Sequence, residues 1–152
     1  MKICSFFNVK GGVGKTTLTI LTAMKLSKEG KNVLLIDADT QANLTQFLYK
    51  VVHDDKTLFQ MLTDNTSAKE VILKAPVAEF ENIDIIPSDI SLSVLSEYLS
   101  TQMGREKAVW RWFKNNIEVI EKYDYVFVDL SPSYDLIARN FMLISDSIIT
   151  PI

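Results

Sequence analysis

A glycine-rich stretch near the N-terminus limits what this chain can fold into. It reads Asn8-Val9-Lys10-Gly11-Gly12-Val13-Gly14-Lys15-Thr16-Thr17. An apolar run, Ile3 to Phe7, precedes it, and a helix-like segment, Leu18 to Lys28, follows. Strand, glycine turn and helix in that order make a phosphate-binding loop. Gly11, Gly12 and Gly14 carry no side chain, so backbone N–H groups can close around phosphate oxygens. Lys15 adds a point charge for the β/γ-phosphates, Thr16 offers a hydroxyl to Mg²⁺, and the helix that follows contributes the positive end of its dipole.

The strict pattern G-x-x-x-x-G-K-[ST] fails, because Val9 stands where its first glycine would fall. A second lysine, Lys10, precedes Gly11-Gly12 instead. Over Lys10 to Thr17 this variant, K-G-G-x-G-K-[ST], resembles the deviant Walker A loop of the ParA/MinD ATPase family.

The rest of the chain fits a soluble α/β domain. Its 152 residues suit one domain, and 47% hydrophobic with 23% charged residues suits a well-filled core. No apolar run reaches the roughly 18 residues of a membrane span. Met1-Lys2-Ile3 leads directly into a strand, so no signal peptide is expected. The single cysteine, Cys4, excludes a disulfide framework or a cysteine-rich metal site, and a cytoplasmic location is expected. A net charge of −3 gives no global attraction to nucleic acid. One histidine, His53, cannot build a metal cluster and reads as a surface residue.

Strand patterns recur at Lys2 to Val9, Val33 to Ile36, Asn82 to Ser88, Tyr125 to Asp129 and Ser147 to Thr150. Helix patterns alternate with them: Thr17 to Glu29, short helices over Asn43 to Tyr49, Thr57 to Leu62 and Ser67 to Lys74, then Ile90 to about Thr101 and Tyr134 to Ile144. The alternation predicts an α/β fold with a largely parallel sheet of about five strands. Glu106 to Lys122 reads as one amphipathic helix with Val109, Trp110, Phe113, Ile117 and Ile120 on its apolar stripe. Trp112 falls off that stripe and is expected to be part-exposed. Lys107, Arg111 and Lys114 share another face, which reads as a solvated surface rather than a nucleic-acid contact.

Carboxylates close two of the strands. Val33-Leu34-Leu35-Ile36 runs into Asp37-Ala38-Asp39, and Tyr125-Val126-Phe127-Val128 runs into Asp129. Carboxyl ends of parallel strands are where α/β sheets bind ligands, and an apolar strand ending in Asp in a chain with a phosphate loop is a Walker B strand. Asp37, Asp39 and Gln41 match the family's D-x-D-P-Q, with Thr40 in place of proline. Leu130-Ser131-Pro132-Ser133 follows Asp129, with Ser131 where the family has a further proline.

The resemblance covers nearly all 152 residues and implies a three-layer P-loop NTPase-like fold, with the loop's strand beside the Walker B strand. It further implies a single ATPase domain, residues 1–152, lacking the C-terminal part that holds the adenine and the DNA-binding residues in family members. The cofactors implied are ATP and Mg²⁺. Gly11, Gly12, Val13, Gly14, Lys15, Thr16 and Thr17 would bind nucleotide, and Thr16, Asp37 and Asp129 would hold the metal. Lys10, Lys15 and Asp39 would be catalytic, Asp39 acting on the attacking water and Lys10 across a dimer. The function implied is ATP-dependent dimerisation and hydrolysis driving plasmid or chromosome partition. The partners implied are a second copy, a partition adaptor protein and DNA, with no membrane. A non-hydrolysing nucleotide-binding or interaction module is the alternative; steady-state hydrolysis separates the two. A fifth strand left uncovered on one side, with Ile148 and Ile149 on it, is expected to favour self-association.

Overall fold

The computed structural model describes residues 1–152. The chain runs β1 (Lys2–Phe6), α1 (Lys15–Lys28), β2 (Val33–Ala38), α2 (Asn43–Leu48), α3 (Leu58–Thr63), α4 (Ala68–Val71) and β3 (Ile83–Ile86). It continues through α5 (Leu95–Ser100), α6 (Ala108–Asn115), α7 (Ile117–Ile120), β4 (Tyr125–Leu130), α8 (Leu136–Ile144) and β5 (Ser147–Ile149). All five strands are parallel, in the order β3-β2-β4-β1-β5. The loop's strand β1 therefore lies between β4 and β5, and the chain's return through β4 separates β1 from β2. That reversal opens a crevice at the carboxyl ends of the central strands.

Two apolar cores sandwich the sheet. One joins Ile20 and Ala23 of α1 and Leu44 and Leu48 of α2 to Phe6, Leu35 and Phe127. The other, larger, joins α3, α5, α6 and α8 to Leu34, Ile36, Val126 and Val128. Adjacent strand residues alternate between the two cores, and every residue of β2 is buried, as a parallel strand covered on both faces requires. Phe6 and Phe127 meet edge-on at 5.4 Å within the first of these cores, a contact worth about 0.5–1.5 kcal/mol beyond its buried area. At the sheet's edge β5 pairs only with β1, and Ile148 is half exposed.

Local chemistry sets several helix starts. Thr57 caps α3 in a reciprocal capping box with Gln60, and Ser67 with Glu70 does the same for α4. The Asp135 carboxylate accepts from the Ala138 N–H at the start of α8. The segment expected as a helix from Ile90 is a 3₁₀ turn, Ile90–Val94, before α5.

The expected single helix over 106–122 is corrected. It is a 3₁₀ turn, Arg105–Lys107, followed by α6 and α7, with the break at Asn116. Asn116 uses that break: its Oδ1 accepts from the Ala68 N–H at 2.8 Å and its Nδ2 donates to the Trp112 carbonyl at 2.9 Å. The apolar face is also rotated. Trp112 is 2% exposed and its Nε1 donates to the Thr66 carbonyl at 2.7 Å, whereas Trp110 is 45% and Ile117 42% exposed. Val109, Trp112 and Phe113, at i, i+3 and i+4, form the buried stripe. With Trp at both 110 and 112, periodicity admits either phase; packing of α6 on α3 and α8, with the Thr66 carbonyl placed to receive the indole N–H, chooses Trp112.

Candidate functional site

The chain turns from β1 into α1 through residues 7–14. Gly12 (φ 74°) and Gly14 (φ 83°) adopt the left-handed conformation, which L side chains rarely take. No atom lies within 4 Å of where a Cβ would stand at either, so backbone sign and not crowding calls for glycine. Gly14 occupies the N-cap of α1, no side chain caps that end, and no acidic residue sits in the first turn. The first N–H groups of a 14-residue helix are thus left for an anion. Asn8 pins the entry to the loop, its Oδ1 accepting from the Lys10 N–H at 2.9 Å and its Nδ2 donating to the Pro151 carbonyl at 2.7 Å. Lys15 is 7% exposed and Lys10 is fully on the surface; neither forms an ion pair.

Register brings the carboxylates to the same level. Asp129 lies opposite Asp37 on β2 and opposite Phe6 on β1. The Thr16 hydroxyl donates to Asp129 Oδ2 at 2.5 Å, and Asp129 Oδ1 is buried with no hydrogen-bond partner. Burial pushes the Asp129 carboxyl up to about 7; the Thr16 hydrogen bond opposes this and the charges of Asp37 and Asp39 add to it. Burial likewise raises Asp37 to about 6 against hydrogen bonds from Thr45.

Asp37 spends its oxygens on the protein. Oδ1 accepts from the Asp39 N–H at 3.1 Å, and Oδ2 accepts from the Thr45 N–H at 2.8 Å and the Thr45 hydroxyl at 2.7 Å. Asp39 is 8% exposed, and its Oδ1 accepts from the Gln41 N–H at 2.9 Å.

Gly11, Gly12, Gly14, Lys15, Thr16, Thr17 and Asp39 line one cavity of about 720 Å³. It extends along α1 to Leu21 and Met24 and across to Phe47 of α2. Val13, Lys10, Asp37 and Asp129 stand outside its lining: Asp129 and Asp37 behind Thr16 and Asp39, and Lys10 on the surface.

The donor set fits a divalent cation. A buried carboxylate oxygen without a partner and a hydroxyl beside it are hard oxygen ligands, and the nearby Asp37 and Asp39 carboxylates add negative charge that Lys15 partly offsets. No three acidic, His or Cys side chains converge on one point, so the other ligands must come from water or bound phosphate, the habit of Mg²⁺.

Sequence reasoning named the loop and both carboxylate strands but gave no supporting role to Asn8, Thr45 or Ser88. Asn8 and Ser88 each lie just past the carboxyl end of a strand, and that position was the available signal.

The whole chain resembles proteins of known family and structure. A family model described as an AAA domain matches residues 1–152. The sporulation initiation inhibitor protein Soj of Bacillus subtilis is 34% identical over 153 aligned positions, covering 99% of this chain and 58% of Soj. A plasmid partition protein from Borrelia burgdorferi, solved bound to AMPPNP, superposes with a TM-score of 0.86 at 32% identity, over 99% of this chain and 62% of the other. Cobyrinic acid a,c-diamide synthase from Mycobacterium smegmatis, solved with an ATP analog and magnesium, gives a TM-score of 0.88 at 25% identity, over 100% of this chain and 60% of the other. The chain spans about half the length of the curated relatives it matches, from 46% to 58% among those with the highest similarity.

Proposed function

Since the chain belongs to the AAA domain family, in its ParA-like form, we propose that it binds Mg-ATP and hydrolyses it in a cycle of ATP-dependent dimerisation that serves plasmid or chromosome partition. One observation carries the nucleotide reading: an uncapped helix N-terminus and the buried, unpaired Lys15 open onto one cavity, with the partnerless Asp129 Oδ1 beside Thr16. The N–H groups of Gly11 to Thr17 and the Lys15 ammonium hold phosphate oxygens. Thr16 and Asp129 would hold the magnesium ion, with Asp37 supporting them. Bound there, the ion would neutralise charge on the phosphate oxygens. The Thr16 hydroxyl can keep its hydrogen on Asp129 while a lone pair of the same oxygen would face the ion. Asp39, on the cavity wall, orients the attacking water and accepts its proton. Lys10, exposed and without an ion-pair partner, reaches the phosphates of a second copy as a cation in trans. Residues 1–152 act as one ATPase domain. The adaptor protein and DNA partners are taken from the partition role, and no helix of the chain is long and apolar enough to cross a membrane.

Calorimetry of Lys15→Ala with Mg-ATP tests the reading. Leaving phosphate without its buried cation costs on the order of 2–5 kcal/mol, roughly 30-fold or more in affinity. An unchanged affinity would locate the nucleotide elsewhere.

A further inference from the structure

We infer that Ser88 is a positioning residue that holds Asp39 toward the cavity from the segment that follows the neighbouring strand. The inference rests on the reading of Asp39 as the residue that orients water.

Asp39 lies one residue past the end of β2, where regular ladder bonding has stopped. What fixes it is a closed ring of hydrogen bonds drawn from three segments. Its N–H donates to Asp37 Oδ1 at 3.1 Å. The Thr45 hydroxyl donates to Asp37 Oδ2 at 2.7 Å and accepts from the Ser88 N–H at 2.9 Å. The Ser88 hydroxyl closes the ring, donating to the Asp39 carbonyl at 3.0 Å. Asp37, Thr45 and Ser88 are all at most 2% exposed, so water competes poorly for these bonds.

Two tethers act on the Asp39 carbonyl. The Ala42 N–H donates to it at 2.9 Å from within the same turn, and Ala42 itself sits at φ 51°. That bond is local and moves with the turn. The Ser88 hydroxyl is the tether that comes from two residues past β3, a strand locked to β2 from Val33↔Ile83 to Ile36↔Ile86. Ser88 therefore refers Asp39 to the sheet, and through the sheet to β4 and β1, which carry Asp129 and the glycine loop. A water-orienting carboxylate must hold its place to within a fraction of an ångström, and displacement by about 1 Å can cost 10²-fold in rate. Because the Ala42 bond keeps the carbonyl satisfied, removing the Ser88 hydroxyl orphans no acceptor.

The test is Ser88→Ala in the full chain, read two ways. In the nucleotide-free protein, amide hydrogen exchange at Asp39 and Gln41 should accelerate about tenfold or more, with the β1 amides unchanged. In steady-state hydrolysis, kcat should fall about 10- to 100-fold at a KM within about twofold. In an Asp39→Ala background the same change should cost nothing further. Unchanged exchange at Asp39 and Gln41 overturns the tie, and a full multiplicative loss in the Asp39→Ala background overturns its action through Asp39. If Asp39→Ala alone retains full turnover, the reading of Asp39 fails, while the exchange result still decides whether Ser88 holds that residue. Should Ser88→Ala not fold, Ser88→Thr against Ser88→Val compares equal shapes that differ in the hydroxyl; equal exchange in the two refutes the tether.

Discussion

Asp129→Asn should stabilise the nucleotide-free chain while removing its metal-dependent nucleotide binding. Asp129 rises from an ordinary carboxyl value to about 7 in the fold. A raised carboxyl favours the folded state while protonated in both states, and that advantage is lost as pH rises from the unfolded pKa through the folded one. For an unfolded value of 3.8, the raised value costs the fold about 4 kcal/mol near pH 8, where Asp129 is ionised in both states, and about 2 kcal/mol near pH 5, where folding must protonate it. An Asn carbonyl can accept the Thr16 hydroxyl in place of Oδ2. Its amide group, where Oδ1 now lacks a partner, is a buried unsatisfied donor costing about 1–3 kcal/mol. The balance near pH 8 is a gain of about 1–3 kcal/mol, shrinking by about 2 kcal/mol near pH 5. Urea unfolding of both proteins at the two pH values measures this directly. A variant less stable than the parent near pH 8, or a gain that does not shrink on acidification, would refute the argument that Asp129 is held charged against its surroundings.

Asp39→Ala should retain Mg-ATP affinity and lose hydrolysis about 10²–10³-fold, measured by phosphate release; joint loss of affinity would move Asp39 to the metal. Lys10→Ala should bind nucleotide as the parent does and fail to dimerise with ATP, and sedimentation showing normal ATP-dependent dimers refutes a role in trans. Trp112→Ala should destabilise by about 3–5 kcal/mol in denaturant unfolding, and Trp110→Ala by under about 1 kcal/mol. Equal effects would contradict the placement of Trp112 in the core and Trp110 at the surface.

The phosphate loop was legible because its chemistry is local. Gly12 and Gly14 are needed by their own backbone angles, and the helix that presents its N–H groups begins at the next residue. The strand–helix alternation and the burial of β2 were likewise written in runs such as Val33-Leu34-Leu35-Ile36. The carboxylates at two strand ends could be read as site residues, but not how they divide the work. Register placed Asp37 opposite Asp129, and the arrival of Thr45 committed Asp37's oxygens to the protein while Asp129 Oδ1 stayed without a partner. The same holds for Trp112 and Trp110: both suit a helix, and packing against distant elements, with the Thr66 carbonyl 46 residues earlier receiving the indole N–H, decides which is buried. Short-range sequence specifies backbone conformation and the residue types that chemistry needs. Which buried polar atom finds a partner depends on groups far apart in the chain, and a linear pattern carries no record of those distances.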